Sequence, residues 1–144
     1  MYQKTNLKSA AQIIKEQKKG IAFTGAGIST ASGIPDFRSA NGIWSQFDIH
    51  EYGYLNSFIK NPAKIWKFIL SIEENFAKAS PNPGHYGLAE LEKLGYLDCV
   101  ITQNIDSLHQ KAGNTDILEL HGSLTKLFCL ACKKNYFRND PNLE

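Results

Sequence analysis

Few features of this 144-residue sequence suit a membrane, a nucleic acid or the cell exterior. No apolar run is long enough to span a bilayer, and the N-terminus lacks the basic and apolar segments of a secretion signal. The formal net charge of +2 is too small to favour nucleic acid or a membrane surface. Three cysteines, an odd number, do not suggest a disulfide scaffold. We therefore expect a cytoplasmic protein with no direct nucleic-acid partner and no membrane partner.

Arginine is also scarce, because the chain has only Arg38 and Arg138 among its 16 basic residues. Lysine supplies the surface charge, so Arg38 is of interest for its planar guanidinium, which matches phosphate or carboxylate. It follows a glycine, a proline, an acid and an aromatic ring within the segment Gly33–Arg38. An ion pair between Asp36 and Arg38 within the loop is the alternative interpretation.

A glycine-rich stretch, Gly25–Ser39, is the most informative part of the sequence. It follows the apolar run Ile21–Thr24, which predicts a buried strand. Gly25 and Gly27 let the backbone turn and approach a ligand, and a helix starting after them would offer its N-terminal amides to a pyrophosphate. The third glycine of the dinucleotide fingerprint is replaced by Thr30, so a plain structural turn explains the glycines equally well.

Helical and strand patterns alternate along the chain, which predicts an α/β fold with a parallel sheet. The predicted strands cover residues 21–24, 97–102 and 117–120. The predicted helices cover about 7–18, 62–79, 84–94 and 107–112, and residues 39–57 are predicted to be irregular. Because Gly25–Arg38, Gln103–Asp106 and His121 each follow a strand, we expect all three groups at the carboxyl edge of the sheet, where ligands bind.

These motifs resemble the sirtuins, the NAD-dependent protein deacylases. The resemblance continues in family order beyond Gly25–Ser39, through Asn41–Trp44, Pro81–His85, Thr102–Asp106, Leu120–Ser123 and Cys129-x-x-Cys132. It implies a partial Rossmann-like parallel sheet, limited to the first three strands, with a helical insertion and the start of a small zinc-ribbon module. Residues 1–124 would form the N-terminal half of the NAD-binding domain, including the cofactor-binding loop and a helical segment at about 38–80. Residues 125–144 would begin an incomplete zinc-binding module.

The same resemblance implies the site residues. His121 would be the general base, since an imidazole exchanges a proton near neutral pH, and Asn104 would be the second catalytic residue. The acyl-lysine carbonyl would attack the ribose, giving free lysine, nicotinamide and O-acyl-ADP-ribose. The implied NAD contacts are Gly25, Ala26, Gly27, Asp36, Phe37, Arg38, Trp44, Gln103, Asn104, Ile105 and Asp106.

Cys129 and Cys132 resemble half of a structural zinc site, which needs four ligands. A redox pair and two free thiols are the alternatives. We expect zinc in an intact protein, and weak or no zinc binding by these 144 residues. His85 is interpreted as a capping or packing residue.

The implied substrate is an acetyl-lysine protein or peptide. Sirtuins that prefer acidic acyl groups carry a Tyr and an Arg where this chain has Ile69 and Ile72, so uncharged acyl groups are expected. Two alternatives remain, an NAD glycohydrolase or ADP-ribosyl transferase, and a non-catalytic truncated sirtuin-like fragment. Only one half of a dinucleotide fold is recognisable. The first strand would then leave an open apolar edge that invites self-association.

Overall fold

The computed structural model of the chain describes residues 4–140. Within that range the elements follow the predicted alternation of helices and strands. In chain order they are α1 (Lys4–Gln17), β1 (Gly20–Thr24), a 3₁₀ helix (Ala26–Ser32), α2 (Ile43–Gln46), α3 (Ile49–Tyr52), α4 (Leu55–Lys60), α5 (Pro62–Ala77), α6 (Pro83–Lys93), β2 (Leu97–Thr102), α7 (Leu108–Ala112), β3 (Ile117–Glu119), β4 (Lys126–Phe128) and β5 (Asn135–Phe137). No helix in this part of the chain is both long and apolar enough to cross a bilayer.

The first three strands form one parallel sheet in the order β1-β2-β3, which confirms the predicted α/β architecture. Thr24 pairs with Thr102, and Thr102 pairs with Glu119, so the three strands end side by side. The loops that follow the strands therefore leave from one edge of the sheet. This common edge is what brings distant parts of the sequence into one site.

The two faces of the sheet differ in burial. Side chains alternate between the faces along each strand, and Val100 and Thr102 point to the face that is almost fully buried. On the opposite face, Phe23 is 63% exposed and Leu118 is 53% exposed. Cys99 shares that face by register and is half-buried. The sheet therefore presents an apolar surface that the described residues leave open.

Helices α5 and α6 each begin directly after an asparagine that caps the first turn. The Asn61 side chain accepts a hydrogen bond from the Lys64 N–H at 3.2 Å, directly before the N-terminal proline of α5. Asn82 likewise accepts from the Gly84 N–H at 2.8 Å at the start of α6. Three residues into α6, the His85 Nδ1 accepts from the Asn82 N–H at 3.3 Å. This reciprocal pair has the geometry of a capping box.

Residues 39–57 are not irregular throughout, because most of them lie in α2, α3 and the start of α4. Each of these helices has only four to six residues, which is too short to be stable alone. Aromatic packing holds them against α5. The Phe68 ring on α5 lies 4.9 Å from Phe47, 5.0 Å from Tyr52 and 6.2 Å from Trp44, measured between ring centroids.

A separate two-stranded antiparallel sheet, formed by β4 and β5, follows the parallel sheet. Arg138 lies one residue after β5 and pairs with Glu73 on α5 at 2.5 Å. That ion pair is half-exposed, so its contribution to stability is small. The start of a zinc ribbon predicted for this region is not confirmed. Residues 4–140 hold no group of three or more potential metal-binding side chains.

Glu92 near the end of α6 anchors the segment that leads into β3. Its carboxylate accepts hydrogen bonds from the Thr115 N–H at 2.8 Å, the Thr115 hydroxyl at 2.5 Å, the Asp116 N–H at 3.2 Å and the Asn114 amide at 2.5 Å. Burial raises the pKa of Glu92, but these hydrogen bonds outweigh burial and lower the pKa to about 2. The clamp therefore fixes the position of β3 relative to α6.

The folded protein is expected to lose stability in acid through Glu92. Because its folded pKa of about 2 is below the ordinary value of 4.5, the stabilisation is complete above pH 4.5 and is lost as the pH falls towards 2. Replacing Glu92 with glutamine should lower the melting temperature at pH 7 and flatten its dependence on pH in this window. Thermal unfolding of both proteins between pH 2 and 7 measures the effect. If the melting temperatures of the two proteins changed with pH to the same extent across this window, the role of Glu92 would be contradicted.

Candidate functional site

A cavity of about 790 Å³ lies at the carboxyl edge of the parallel sheet. Its walls come from three parts of the chain, the segment after β1, the segment after β2 and the residue after β3. The lining residues are Ala26, Gly27, Asp36, Phe37, Arg38, Trp44, Ile49, Gly53, Tyr54, Gln103, Asn104 and His121. The sequence prediction that these three groups meet at one edge is therefore confirmed in the structure.

The loop Asp36–Trp44 is folded tightly back on itself along one wall. The Ile43 N–H donates to the Asp36 carbonyl at 2.8 Å, and the Trp44 N–H donates to the Phe37 carbonyl at 3.0 Å. A Cβ on Gly42 would lie 2.7 Å from the Asp36 carboxylate and 2.7 Å from the Phe37 backbone, so only glycine fits there. This closure, together with the tilted contact of the Phe37 and Trp44 rings, holds Phe37 at the cavity.

Asp36 and Arg38 both line the cavity, and they are not paired with each other. Asp36 accepts a hydrogen bond from the Ser39 N–H at 3.0 Å, and hydrogen bonds from the side chain and backbone of Ser39 lower the pKa of Asp36. Within residues 4–140 the structure records no ion pair between Asp36 and Arg38. The loop ion pair considered from the sequence is therefore absent, and the Arg38 guanidinium remains available to an anionic group in the cavity.

His121 follows β3 and lines the cavity, and one of its ring nitrogens is hydrogen-bonded to the backbone. Its Nδ1 lies 2.9 Å from the Gln103 carbonyl oxygen, which can only accept a hydrogen bond. The proton therefore sits on Nδ1 in the neutral ring, and Nε2 carries the lone pair. An imidazole held in this tautomer has the form required of a general base.

Asn104 lies at the floor of the cavity and is 7% exposed. Its backbone N–H donates to the Thr102 hydroxyl at 3.0 Å. Its side-chain amide donates to the Gly25 carbonyl at 3.2 Å and to the Ser29 hydroxyl at 3.1 Å. One backbone and two side-chain hydrogen bonds thus fix Asn104 between the segments that follow β1 and β2.

Ser29 connects this floor to two buried ionisable groups. Its hydroxyl donates to Asp106 at 2.7 Å, and its oxygen lies 3.4 Å from the His85 Nε2. Since the His85 Nδ1 accepts from the Asn82 N–H, the imidazole proton is on Nε2 and points at Ser29. Burial lowers the pKa of His85, although the Asp106 carboxylate opposes this. The capping or packing role expected for His85 is confirmed, and Ser29 is the partner that the sequence did not reveal.

The predicted site residues divide into two sets. Nine of them line the cavity, namely Ala26, Gly27, Asp36, Phe37, Arg38, Trp44, Gln103, Asn104 and His121. Gly25, Ile105 and Asp106 do not line it. Gly25 contributes its carbonyl to Asn104, Ile105 packs against the core, and Asp106 is buried with both carboxylate oxygens bonded, to Ser29 and to the Leu108 N–H. Asp106 therefore stabilises the cavity floor through its hydrogen bond with Ser29.

Sequence reasoning missed three lining residues, Ile49, Gly53 and Tyr54. They lie in and after α3, within the region predicted to be irregular. The one available signal was the run of aromatic residues there. In the structure the Tyr52 ring of this region packs on Phe68 of α5, while Tyr54 reaches the cavity.

The two cysteines lie away from the cavity, near the turn between β4 and β5. The Cys129 N–H donates to the Lys134 carbonyl at 2.9 Å, and the Cys132 N–H donates to the Cys129 sulfur at 3.5 Å. Both thiols are free. Residues 4–140 bring together no group of three or more potential metal-binding side chains, so they do not complete a structural zinc site.

Comparison with known proteins supports the interpretation of this edge. A model of the Sir2 family matches residues 25–143. The NAD-dependent protein deacylase 2 of Archaeoglobus fulgidus is 47% identical over 130 residues, which cover 90% of this chain and 51% of that protein. The chain spans about half the length of the curated relatives that it matches.

Solved structures show the same relationship. One Sir2 enzyme matches with a TM-score of 0.83 at 46% identity, covering 94% of this chain and 53% of the other. A Sir2 protein with a deacetylated p53 peptide and 3′-O-acetyl ADP-ribose matches with a TM-score of 0.77 at 38% identity, covering 91% and 53% respectively. The family match includes every segment that lines the cavity. The chain therefore belongs to the Sir2, or sirtuin, family.

Proposed function

We propose that this chain carries the NAD pocket and the general base of an NAD-dependent protein-lysine deacylase. The observation that carries the proposal is the orientation of His121, whose Nδ1 is bonded to the Gln103 carbonyl while its ring lines the same cavity as Phe37, Arg38 and Asn104. The relatives named as NAD-dependent deacylases support the same activity.

The lining residues fit the parts of NAD. Gly27 leaves open space where a Cβ would project, with no heavy atom within 4 Å, so a phosphate can approach the backbone there. The Arg38 guanidinium can pair with an anionic oxygen, while Gln103 and Asn104 offer amides to ribose hydroxyls. When bound, NAD supplies a ribose carbon that becomes electrophilic as nicotinamide leaves.

The residues around that carbon would control water and protons. Phe37 is an apolar wall of the cavity, and we propose that it shields the reacting centre from water. The His121 Nε2 would accept a proton from a ribose hydroxyl, and the bond from Nδ1 to the Gln103 carbonyl would stabilise the resulting imidazolium. Asn104 is proposed as the second catalytic residue, because its three hydrogen bonds fix it at the cavity floor.

The proposed substrate is a protein or peptide that carries an uncharged acyl-lysine, such as acetyl-lysine. The support is the pair Ile69 and Ile72 on α5, which are half-buried and apolar where relatives that act on acidic acyl groups have polar residues. A carboxylate-bearing acyl group would find no cation at either position. Acetyl-lysine peptides should therefore react faster than succinyl-lysine peptides.

Nicotinamide release from NAD, measured with and without an acetyl-lysine peptide, tests the proposed function. Release that depends on the peptide and is accompanied by free lysine and O-acetyl-ADP-ribose supports the deacylase. Equal release without peptide would instead identify an NAD glycohydrolase or ADP-ribosyl transferase. Failure to bind NAD at all would favour a non-catalytic fragment.

We also propose that Cys129 and Cys132 are one half of a structural zinc site, completed by ligands outside residues 4–140. The support is their position near a hairpin turn, where the Cys132 N–H donates to the Cys129 sulfur. Residues 125–144 would then begin a zinc module, and residues 1–124 would be the NAD-binding half-domain. Zinc analysis of the purified protein, before and after replacement of both cysteines by serine, tests this assignment.

Self-association through the β1 edge is a further proposal. Among residues 4–140, β1 pairs with β2 alone, and its side chains Ile21 and Phe23 are 66% and 63% exposed on the open face. An unpaired apolar edge can add a strand from another chain. Light scattering should therefore give a mass above 16.1 kDa, and Phe23→Lys should restore the monomer. A monomeric parent protein would contradict the proposal.

A further inference from the structure

Behind the cavity floor lies a buried histidine to which the mechanism above gives no role. His109 on α7 is 1% exposed, and its Nε2 lies 2.9 Å from the hydroxyl of Thr24, the last residue of β1. The Thr24 hydroxyl donates its proton to the Thr102 hydroxyl at 2.9 Å. Thr24 must therefore accept from His109, which places the imidazole proton on Nε2.

Thr24 links His109 to both functional segments of the cavity. The Thr24 hydroxyl donates to the Thr102 hydroxyl, and the Thr102 oxygen also accepts the Asn104 N–H at 3.0 Å. Through its own carbonyl, Thr24 accepts the Gln103 N–H at 3.0 Å, and the Gln103 carbonyl in turn orients His121. The His109 Nε2–H therefore supports, through Thr24, the hydrogen bonds of both Asn104 and His121.

The surroundings of His109 favour a neutral ring with a fixed direction. Burial lowers the pKa of His109, the neighbouring His85 adds to this, and Asp106 and Asn114 oppose it. The His85 ring lies 5.0 Å away, measured between centroids. Within the described residues, the Asn114 side chain also acts on the imidazole, but the His109 Nδ1 makes no hydrogen bond of ordinary geometry to it. The 2.9 Å contact between Nε2 and the Thr24 hydroxyl is therefore the hydrogen bond of ordinary geometry that orients the ring.

We propose that His109 is a positioning residue for the deacylase reaction, which holds Asn104 and the Gln103–His121 pair in place through Thr24. The inference rests on the proposed function, although its structural part can be tested separately. His109 touches neither the cavity nor a reacting atom, so it acts only through these hydrogen bonds. Small displacements of catalytic groups cost large factors in rate, so the loss of such a support should lower turnover.

Two substitutions of His109 separate positioning from simple stability. In His109→Gln the side-chain amide reaches the place of Nε2 and can still donate to Thr24. In His109→Asn the amide is one carbon shorter and stops at the depth of Nδ1, so the Thr24 bond is lost. Both changes put an amide in the same buried site, so they form a matched pair for stability.

The expected result is that His109→Asn lowers kcat for peptide-dependent nicotinamide release by about tenfold or more, with little change in KM for NAD. His109→Gln should stay within about threefold of the parent protein if the amide reproduces the bond. Equal kcat values for the two variants, or losses that follow only their melting temperatures, would overturn the proposal. A second pair, Thr24→Ser and Thr24→Val, keeps or removes the accepting hydroxyl if the His109 variants do not fold.

A measurement that needs no turnover distinguishes failure of this inference from failure of the proposed function. Amide hydrogen exchange at Gln103 and Asn104 should be faster in His109→Asn than in His109→Gln, since their acceptors lose support. If the parent protein releases no nicotinamide but this difference appears, the proposed function is wrong and the positioning stands. If turnover is present and exchange is unchanged in both variants, the positioning is wrong.

Discussion

Replacing His121 with alanine should lower the turnover rates of peptide-dependent nicotinamide release and of deacylation by about 10²–10⁴-fold. This is the range expected for the loss of a general acid or base. The side chain is exposed and its only recorded hydrogen bond in the described structure is to the Gln103 carbonyl, so the fold should be unaffected. Deacylation is measured as free lysine formed per unit time at saturating NAD.

A binding measurement decides how the His121 result is interpreted. The affinity for NAD, measured by calorimetry, should change little in His121→Ala, because the proposed role concerns a proton and not cofactor affinity. Unchanged turnover in His121→Ala would remove the residue from the mechanism.

Filling the space above Gly27 should weaken NAD binding without unfolding the protein. A Cβ at Gly27 meets no heavy atom within 4 Å, and its φ is not in the left-handed region, so the Cβ of Gly27→Leu meets no clash and no backbone strain. The leucine side chain would instead occupy the cavity where the phosphates are proposed to approach the backbone. We expect the Kd for NAD to increase at least tenfold, which corresponds to about 1.4 kcal/mol.

Gly87 provides the matched control for this experiment. It also has open space at its Cβ position and a φ outside the left-handed region, but it lies on the exposed side of α6 and away from the cavity. Gly87→Leu should therefore bind NAD as the parent protein does. Equal affinity of the Gly27 and Gly87 variants would show that NAD does not lie over the glycine segment.

The edge of the sheet could be predicted from the sequence because two local signals agree. Apolar runs of four to six residues mark the strands, and Gln103–Asp106 and His121 directly follow two of them. The parallel connection rule then brings their ends together without any knowledge of side-chain contacts. The predicted helix starts at about residues 62 and 84 likewise lie within one residue of the observed starts of α5 and α6, since caps act within a few residues.

The supports beneath the site could not be predicted in this way. Ser29 contacts Asp106, and His109 contacts Thr24, across 77 and 85 positions of the chain. Neither residue type is unusual in its local sequence, and each contact exists only after the sheet and α7 have packed. The short helices α2 to α4 were missed for a related reason, because packing on the α5 rings Phe68 and Trp66, rather than their own propensity, stabilises them.

The pairing of β1 with β2 has a consequence for how the protein folds. Gly20 pairs with Leu97, 77 positions later, and the 3₁₀ helix and the five α-helices α2 to α6 lie within that loop. Closing so long a loop is entropically costly, whereas the helices form from local contacts, so the strands are expected to join late. The cavity has walls from both sides of this junction. The cavity should therefore form with the slowest step of sheet assembly and not with the helices. The fluorescence of Trp44, which lies at the cavity wall, can follow this step during refolding.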